Sequence, residues 1–276
     1  MNVLGTLMRR YLVESRWMLG LSAAAFFALS LLTAWRIQRY EHLVALGEIG
    51  PETRGYGFLR VLGGANMDYS TTALQVCWWN HPVVVLTVLS WAVTRGSAAV
   101  AGEIERGSID LTLSRPIARW SYLTSQILFA LLGFLTITAA LIAGCLVSGL
   151  VFTLKAPPTL LTLTRPGLMV VTMGMAVFGY TLPFSSLDVV RWRATLAGSA
   201  ITLGGLFSMS LANLFEGYAF HDLMERVSVF RAYAPVTVAL KGEPLAYNCG
   251  VLTLVFAAGV AVSYWIFSGR DIPSNS

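Results

Sequence analysis

Six stretches of the chain contain no Asp, Glu, Lys or Arg: residues 17–35, 69–94, 120–154, 166–187, 194–215 and 244–269. Each can supply the roughly 20 apolar residues that cross a hydrocarbon core about 30 Å thick. In lipid every backbone amide must be satisfied within its own segment or in a closed barrel, and the ten-residue alternation of barrel strands is absent. The pattern therefore predicts an all-α integral membrane fold. Its six transmembrane helices are expected at about 17–35, 80–101, 122–153, 166–185, 194–214 and 248–267, in one transmembrane domain spanning residues 1–276. Segments 36–79 and 215–247 lie between spans and are too small for a domain with its own core.

Tryptophan placement supports these boundaries, because indoles prefer the headgroup level. Trp17 and Trp35 flank the first span, Trp78 and Trp79 open the second, Trp120 precedes the third and Trp265 closes the sixth. Pro82 suits the start of the second helix, and Pro166 is expected to open the fourth. Arg95, near the end of the second span, is expected to snorkel toward water.

Composition agrees: 56% of the 276 residues are apolar, 12% are charged and the mean hydropathy is +0.67. The net charge of +5 is scattered over short loops rather than gathered in a stripe, so it is no nucleic-acid signal and no nucleic-acid partner is expected. Its sidedness favours both termini inside: ten arginines fall on the inner segments and nine Lys or Arg on the longer outer ones. The first stretch reads as a retained span rather than a cleaved signal peptide. Before it, residues 3–14 alternate Val3, Leu4, Leu7, Met8, Tyr11 and Leu12 with Arg9, Arg10 and Glu14. They form either a helix lying in the membrane interface or a basic tail that only sets topology.

The chemistry is defined as much by what is missing. The only lysines, Lys155 and Lys241, stand in no phosphate-binding loop, so the chain does not itself cradle and hydrolyse ATP. His42, His81 and His221 form no zinc-protease motif and no serine-hydrolase elbow is present, which disfavours an integral-membrane enzyme. Cys77, Cys145 and Cys249 match no metal spacing, and free thiols are expected, with a Cys77–Cys249 disulfide as the alternative. The fifth span is rich in small and hydroxylated residues, among them Thr202, Ser208 and Asn213, which either allow close packing or line a weakly polar path.

The densest run of charge lies between the second and third spans, at residues 103–119. As a helix it sets Glu103 against Arg106 and Arg106 against Asp110, with Ile104, Ile109, Leu111 and Leu113 for apolar contact, until Pro116 ends the helical geometry at Arg115. From spacing alone it is equally a docking surface or an ordinary loop whose arginines set topology. A second mixed-charge loop, 185–193, carries Asp188, Arg191 and Arg193.

The run Glu103 to Arg119, with its Gly107-Ser108-Ile109 and Ser114-Arg115-Pro116, resembles the first cytoplasmic loop of ABC type 2 transporter permeases. The close Phe267-Ser268-Gly269-Arg270-Asp271 is similar to that family's ending. The resemblance implies the permease subunit of an ATP-binding-cassette transporter in the cell membrane, acting in export. It further implies two copies of a separate ATP-binding subunit that hold ATP and Mg, a second copy of this or a homologous permease, and surrounding membrane lipid. This chain would bind no cofactor. Glu103, Glu105, Arg106, Gly107, Asp110, Arg115, Pro116 and Arg119 would then form the coupling element, residues 3–14 an interfacial elbow helix, and Asp188, Arg191 and Arg193 a second contact. The competing reading is a scaffold subunit that anchors a complex and transports nothing.

Overall fold

The computed structural model describes residues 3–46, 75–109, 117–154, 157–214, 228–240 and 244–270. Among these the chain is helical throughout, with no strand. The main helices are α1 (Val3–Ala45), α2 (Pro82–Ala98), α3 (Ala101–Glu105), α4 (Arg119–Val151), α5 (Leu160–Leu187), α6 (Arg191–Leu214), α7 (Pro235–Leu240) and α8 (Leu245–Gly269). The helices α1, α4, α5 and α8 are long and apolar enough to cross a membrane. The helix α2 is apolar but has 17 residues, about 26 Å of rise. Residues 47–74 of the segment 36–79, and 215–227 and 241–243 of the segment 215–247, lie outside the described residues.

One expectation is revised at the start of the chain. Residues 3–14 are the beginning of α1 rather than a separate interfacial helix, and α1 runs on ten residues past Trp35. Its sequence contains no proline and only two glycines, Gly5 and Gly20, so nothing interrupts the hydrogen-bond ladder. At about 65 Å it is roughly twice the thickness of a hydrocarbon core.

The helix starts follow local chemistry. Pro82 occupies the first turn of α2, as its missing N–H allows, and His81 Nδ1 accepts from Val83 N at 3.2 Å. Pro166 does not open α5: the helix starts two turns earlier, where Thr159 and Thr162 cap one another reciprocally.

The centre of the bundle is α5, packed by α2, α4, α6 and α8, while α1 leans on α4. Close approach depends on glycine at two kinds of site. Aromatic rings occupy the space of absent side chains: a Cβ on Gly133 would stand 2.0 Å from the Trp91 ring, and one on Gly174 would stand 2.3 Å from Phe134. Those two rings meet edge to face at 4.7 Å. Between α5 and α8 the backbones themselves touch, since a Cβ on Gly259 would lie 2.1 Å from the Gly179 carbonyl oxygen.

Trp17, Trp120, Trp192 and Trp265, each at least 60% exposed, stand at one end of the bundle, where α2 ends and α4 begins. This is the arrangement of an interfacial aromatic belt. Trp79 does not belong to such a belt: it is buried, and its carbonyl accepts from Tyr233 OH at 3.1 Å. All three cysteines are free thiols.

Replacing Gly259 by Ala should destabilise the α5–α8 contact by about 1–3 kcal/mol, the usual effect of overpacking. In detergent-solubilised protein this reads as a lower melting temperature. Gly250→Ala, on the same helix with open space around it, should leave stability unchanged or raise it by up to about 1 kcal/mol.

Candidate functional site

The charged run begins where α2 stops. At Val100 the backbone leaves helical geometry, with φ −122° and ψ −60°, which releases two N–H groups in a buried place. Ser185 of α5 satisfies both, its Oγ accepting from Val100 N at 3.1 Å and Ala101 N at 3.0 Å while donating to the Ser97 carbonyl at 2.8 Å. On the other side Tyr122 OH of α4 donates to the Ala99 carbonyl at 2.7 Å, and Gln126 Nε2 donates to the Tyr122 oxygen at 3.3 Å. An unmade bond of this kind costs about 1–3 kcal/mol, so the bend is fixed by the helices behind it.

The helix α3 is only five residues long and ends at Gly107, whose φ of +67° few other residues adopt without strain. The helical pairing of Glu103 with Arg106 is present at 2.8 Å, and Arg106 Nε also donates to the Gly102 carbonyl at 2.9 Å. Glu103, however, points into the protein. Its carboxylate is buried and also accepts from Ser108, with Arg10 of α1 at 3.5 Å. Arg10 is held in turn by Glu14 at 2.8 Å. Ile104 and Ile109 are core residues rather than a surface for a partner. Glu103 is therefore a brace that ties the charged turn to α1.

The exposed part of the run is different. Glu105 Oε2 accepts from the backbone N–H of Arg191 at 3.1 Å, placing a carboxylate at the N-terminus of α6. Asp188 caps the same entry, accepting from Val189 N at 2.8 Å and Val190 N at 3.1 Å, with Arg193 at 3.9 Å. The two loops distinguished in the sequence are thus one surface. Glu105, Arg106, Arg191 and Trp192 line a cleft of about 680 Å³. A second groove of about 300 Å³ shares Thr195 and Ser199 with it and continues between α2 and α6, past Ser90, Thr94, Thr202 and Leu203.

Thr202 lines that groove and its hydroxyl lies 2.5 Å from Tyr180 OH. Ser208 is buried farther along α6 and does not line it, and the side chain of Asn213 lies outside the described residues. Arg119 is turned toward the end of α8, its Nη1 donating to the carbonyls of Phe267 at 3.2 Å, Ser268 at 3.3 Å and Arg270 at 2.5 Å. Arg270 performs the same service for α5, donating to Ser186 O at 2.6 Å and Asp188 O at 3.1 Å. Asp110, Arg115 and Pro116 lie outside the described residues.

Sequence reasoning placed Arg10, Arg270 and Ser185 on the inner side but did not foresee the contacts that they and Tyr122 make at this end. Only Arg10 carried a local signal, its four-residue spacing to Glu14. The others act on residues more than 20 positions away. No known protein-family model matches the chain, and no curated protein matches it.

Glu103→Ala should lower stability by about 1–3 kcal/mol, because Arg10, Arg106 and Ser108 lose a common acceptor in a buried place. Glu105→Ala, which removes one solvent-exposed helix-end contact, should change it by less than about 1 kcal/mol. Parallel thermal unfolding of the two purified variants distinguishes the buried brace from the surface contact.

Proposed function

We propose that this chain is the permease subunit of an ATP-binding-cassette exporter in the cell membrane, paired with a second permease and served by two soluble ATP-binding subunits. The observation that carries the reading is the hydrogen bond that Glu105 accepts from the first N–H of α6, which joins the end of α3 and the start of α6 in one charged surface. A groove between two of the bundle's helices leads away from that surface. The likeness of residues 103–119 to the coupling loop of such permeases supports the same assignment. ATP and Mg belong to the partner, since this sequence has no phosphate-binding loop of its own.

In this reading Glu105, Arg106, Arg191, Trp192 and Arg193 face the ATP-binding subunit, while Glu103, Gly107 and Arg119 hold the surface in shape. Closure of the partner on ATP would displace α3 together with α6, and the groove between α2 and α6 would change width. Such coupling needs the partner's two states to bind the surface unequally, because equal affinity shifts no equilibrium. The α2–α6 groove is walled by Leu86, Leu89, Val93 and Leu203 and dotted with hydroxyls, which suits an amphipathic cargo better than a small ion.

Arg193→Glu reverses an exposed charge whose closest acidic partner, Asp188, is 3.9 Å away. It should reduce copurification of the ATP-binding subunit and cargo-stimulated ATPase activity at least tenfold while leaving the melting temperature of the permease unchanged. Undiminished association and stimulation would rule the surface out as the docking site. Single cysteines at Ser90, Thr94 and Ser199, in a background without Cys77, Cys145 and Cys249, should change their reactivity toward thiol reagents when nucleotide binds the complex. A scaffold subunit would show no such change.

A further inference from the structure

Arg95 is a charged group near the end of an apolar helix, and among the described residues it forms no ion pair. It lies in the last turn of α2. Its Nη2 donates to Ser15 Oγ of α1 at 2.7 Å and approaches Met18 Sδ at 3.9 Å. The guanidinium carbon stands 4.8 Å from the ring centre of Phe129 and 5.5 Å from that of Trp91. Instead of snorkelling out along the helix surface, the side chain therefore reaches sideways across α4 to α1. Its Nε is buried with no hydrogen-bond partner, and Nη1 makes no hydrogen bond to the protein among the described residues.

Among the described residues no carboxylate lies within 4 Å of this guanidinium. The acid whose field reaches it is Glu14, which is already paired with Arg10 at 2.8 Å. Arg191 and Arg106, the latter paired with Glu103 at 2.8 Å, act on it in the opposite sense, so no acid among the described residues is left over to balance it. The C-terminal carbonyls of α2 return roughly half a charge and leave a positive excess. Two aromatic faces stabilise a cation but do not neutralise it.

The location selects the ligand. The helix α1 packs on α4 and α2 packs on α5, so Arg95 and Ser15 bridge a seam between α1 and α2 that is floored by Phe129. Met18, one turn from Ser15 along α1, and the neighbouring Trp17 are exposed. Trp17 belongs to the tryptophan ring at this end of the bundle, the level at which headgroups lie. The one guanidinium nitrogen without a protein partner and not enclosed, Nη1, can donate to a phosphate oxygen, and the Ser15 hydroxyl, which accepts from Nη2, adds a polar contact beside it. A zwitterionic headgroup would bring its own cation into a positive site, whereas a net negative one would not.

We propose that Arg95 and Ser15 bind the phosphate of an acidic phospholipid, whose chains run past Met18 along the α1–α2 seam. The site requires that α1 and α2 cross a membrane and is independent of whether the protein transports anything.

The test uses the full chain, purified in detergent and titrated with phosphatidylglycerol or phosphatidylcholine, with bound lipid counted by native mass spectrometry. The wild type should favour phosphatidylglycerol at least tenfold, and Arg95→Gln should bring that ratio near one. Should Arg95→Gln not fold, Ser15→Ala decides: a ratio lowered about threefold supports the site and an unchanged ratio overturns it. Equal binding of the two lipids by the wild type, or an undiminished preference in Arg95→Gln, overturns the proposal. So does displacement of phosphatidylglycerol by millimolar inorganic phosphate, which would make this a site for soluble anions instead.

Discussion

The bend after Ala98 depends on hydroxyl groups supplied by other helices. When α2 ends, the N–H groups of Val100 and Ala101 and the carbonyl of Ala99 lose their helical partners in a place from which water is largely excluded. Ser185 takes both donors and Tyr122 the acceptor. An open backbone at this depth is tolerable only when protein satisfies it. The consequence is geometric: α3 can leave α2 in one direction only, and that direction brings Glu105 to the start of α6 and Glu103 to Arg10. The charged surface inherits its shape from Ser185 and Tyr122, neither of which is charged.

The packing that places those hydroxyls rests on small residues facing large ones. Gly133 and Gly174 make room for Trp91 and Phe134, so α2, α4 and α5 interlock through rings, while Gly179 and Gly259 bring α5 and α8 into backbone contact. In lipid no hydrophobic force draws helices together, and such close van der Waals fits are what remains. Because α5 is shared by both kinds of contact, its C-terminal serines are held against α2 and α8 at once.

The arginines at this end divide by what they touch. Arg119 and Arg270 cap helix C-termini with their guanidinium groups, where cations are favourable. Arg10 and Arg106 meet at the buried Glu103. Arg193 remains directed outward, with Arg106 partly so, and among the described residues Arg95 has no carboxylate within 4 Å. A charge-dense loop is therefore mostly internal architecture, and a narrower set of residues is left for encounters with other molecules.

Hydropathy by itself determined that the chain is helical and apolar enough to span a membrane, because a run of about 20 uncharged residues in lipid has few other stable forms. Local chemistry also set the start of α2 at Pro82 and the pairing of Glu103 with Arg106 three residues on. It was misleading wherever several elements compete for one residue. Pro166 read as a helix start, but the Thr159 cap begins α5 earlier, and Trp79 read as an interfacial indole, but Tyr233 and the core enclose it. The inward turn of Glu103 and the joining of two separate loops through Glu105 and Arg191 were decided by tertiary structure alone. Each depends on a partner distant in sequence, and a hydrogen bond's choice of partner is settled by which groups the packed helices bring within about 3 Å.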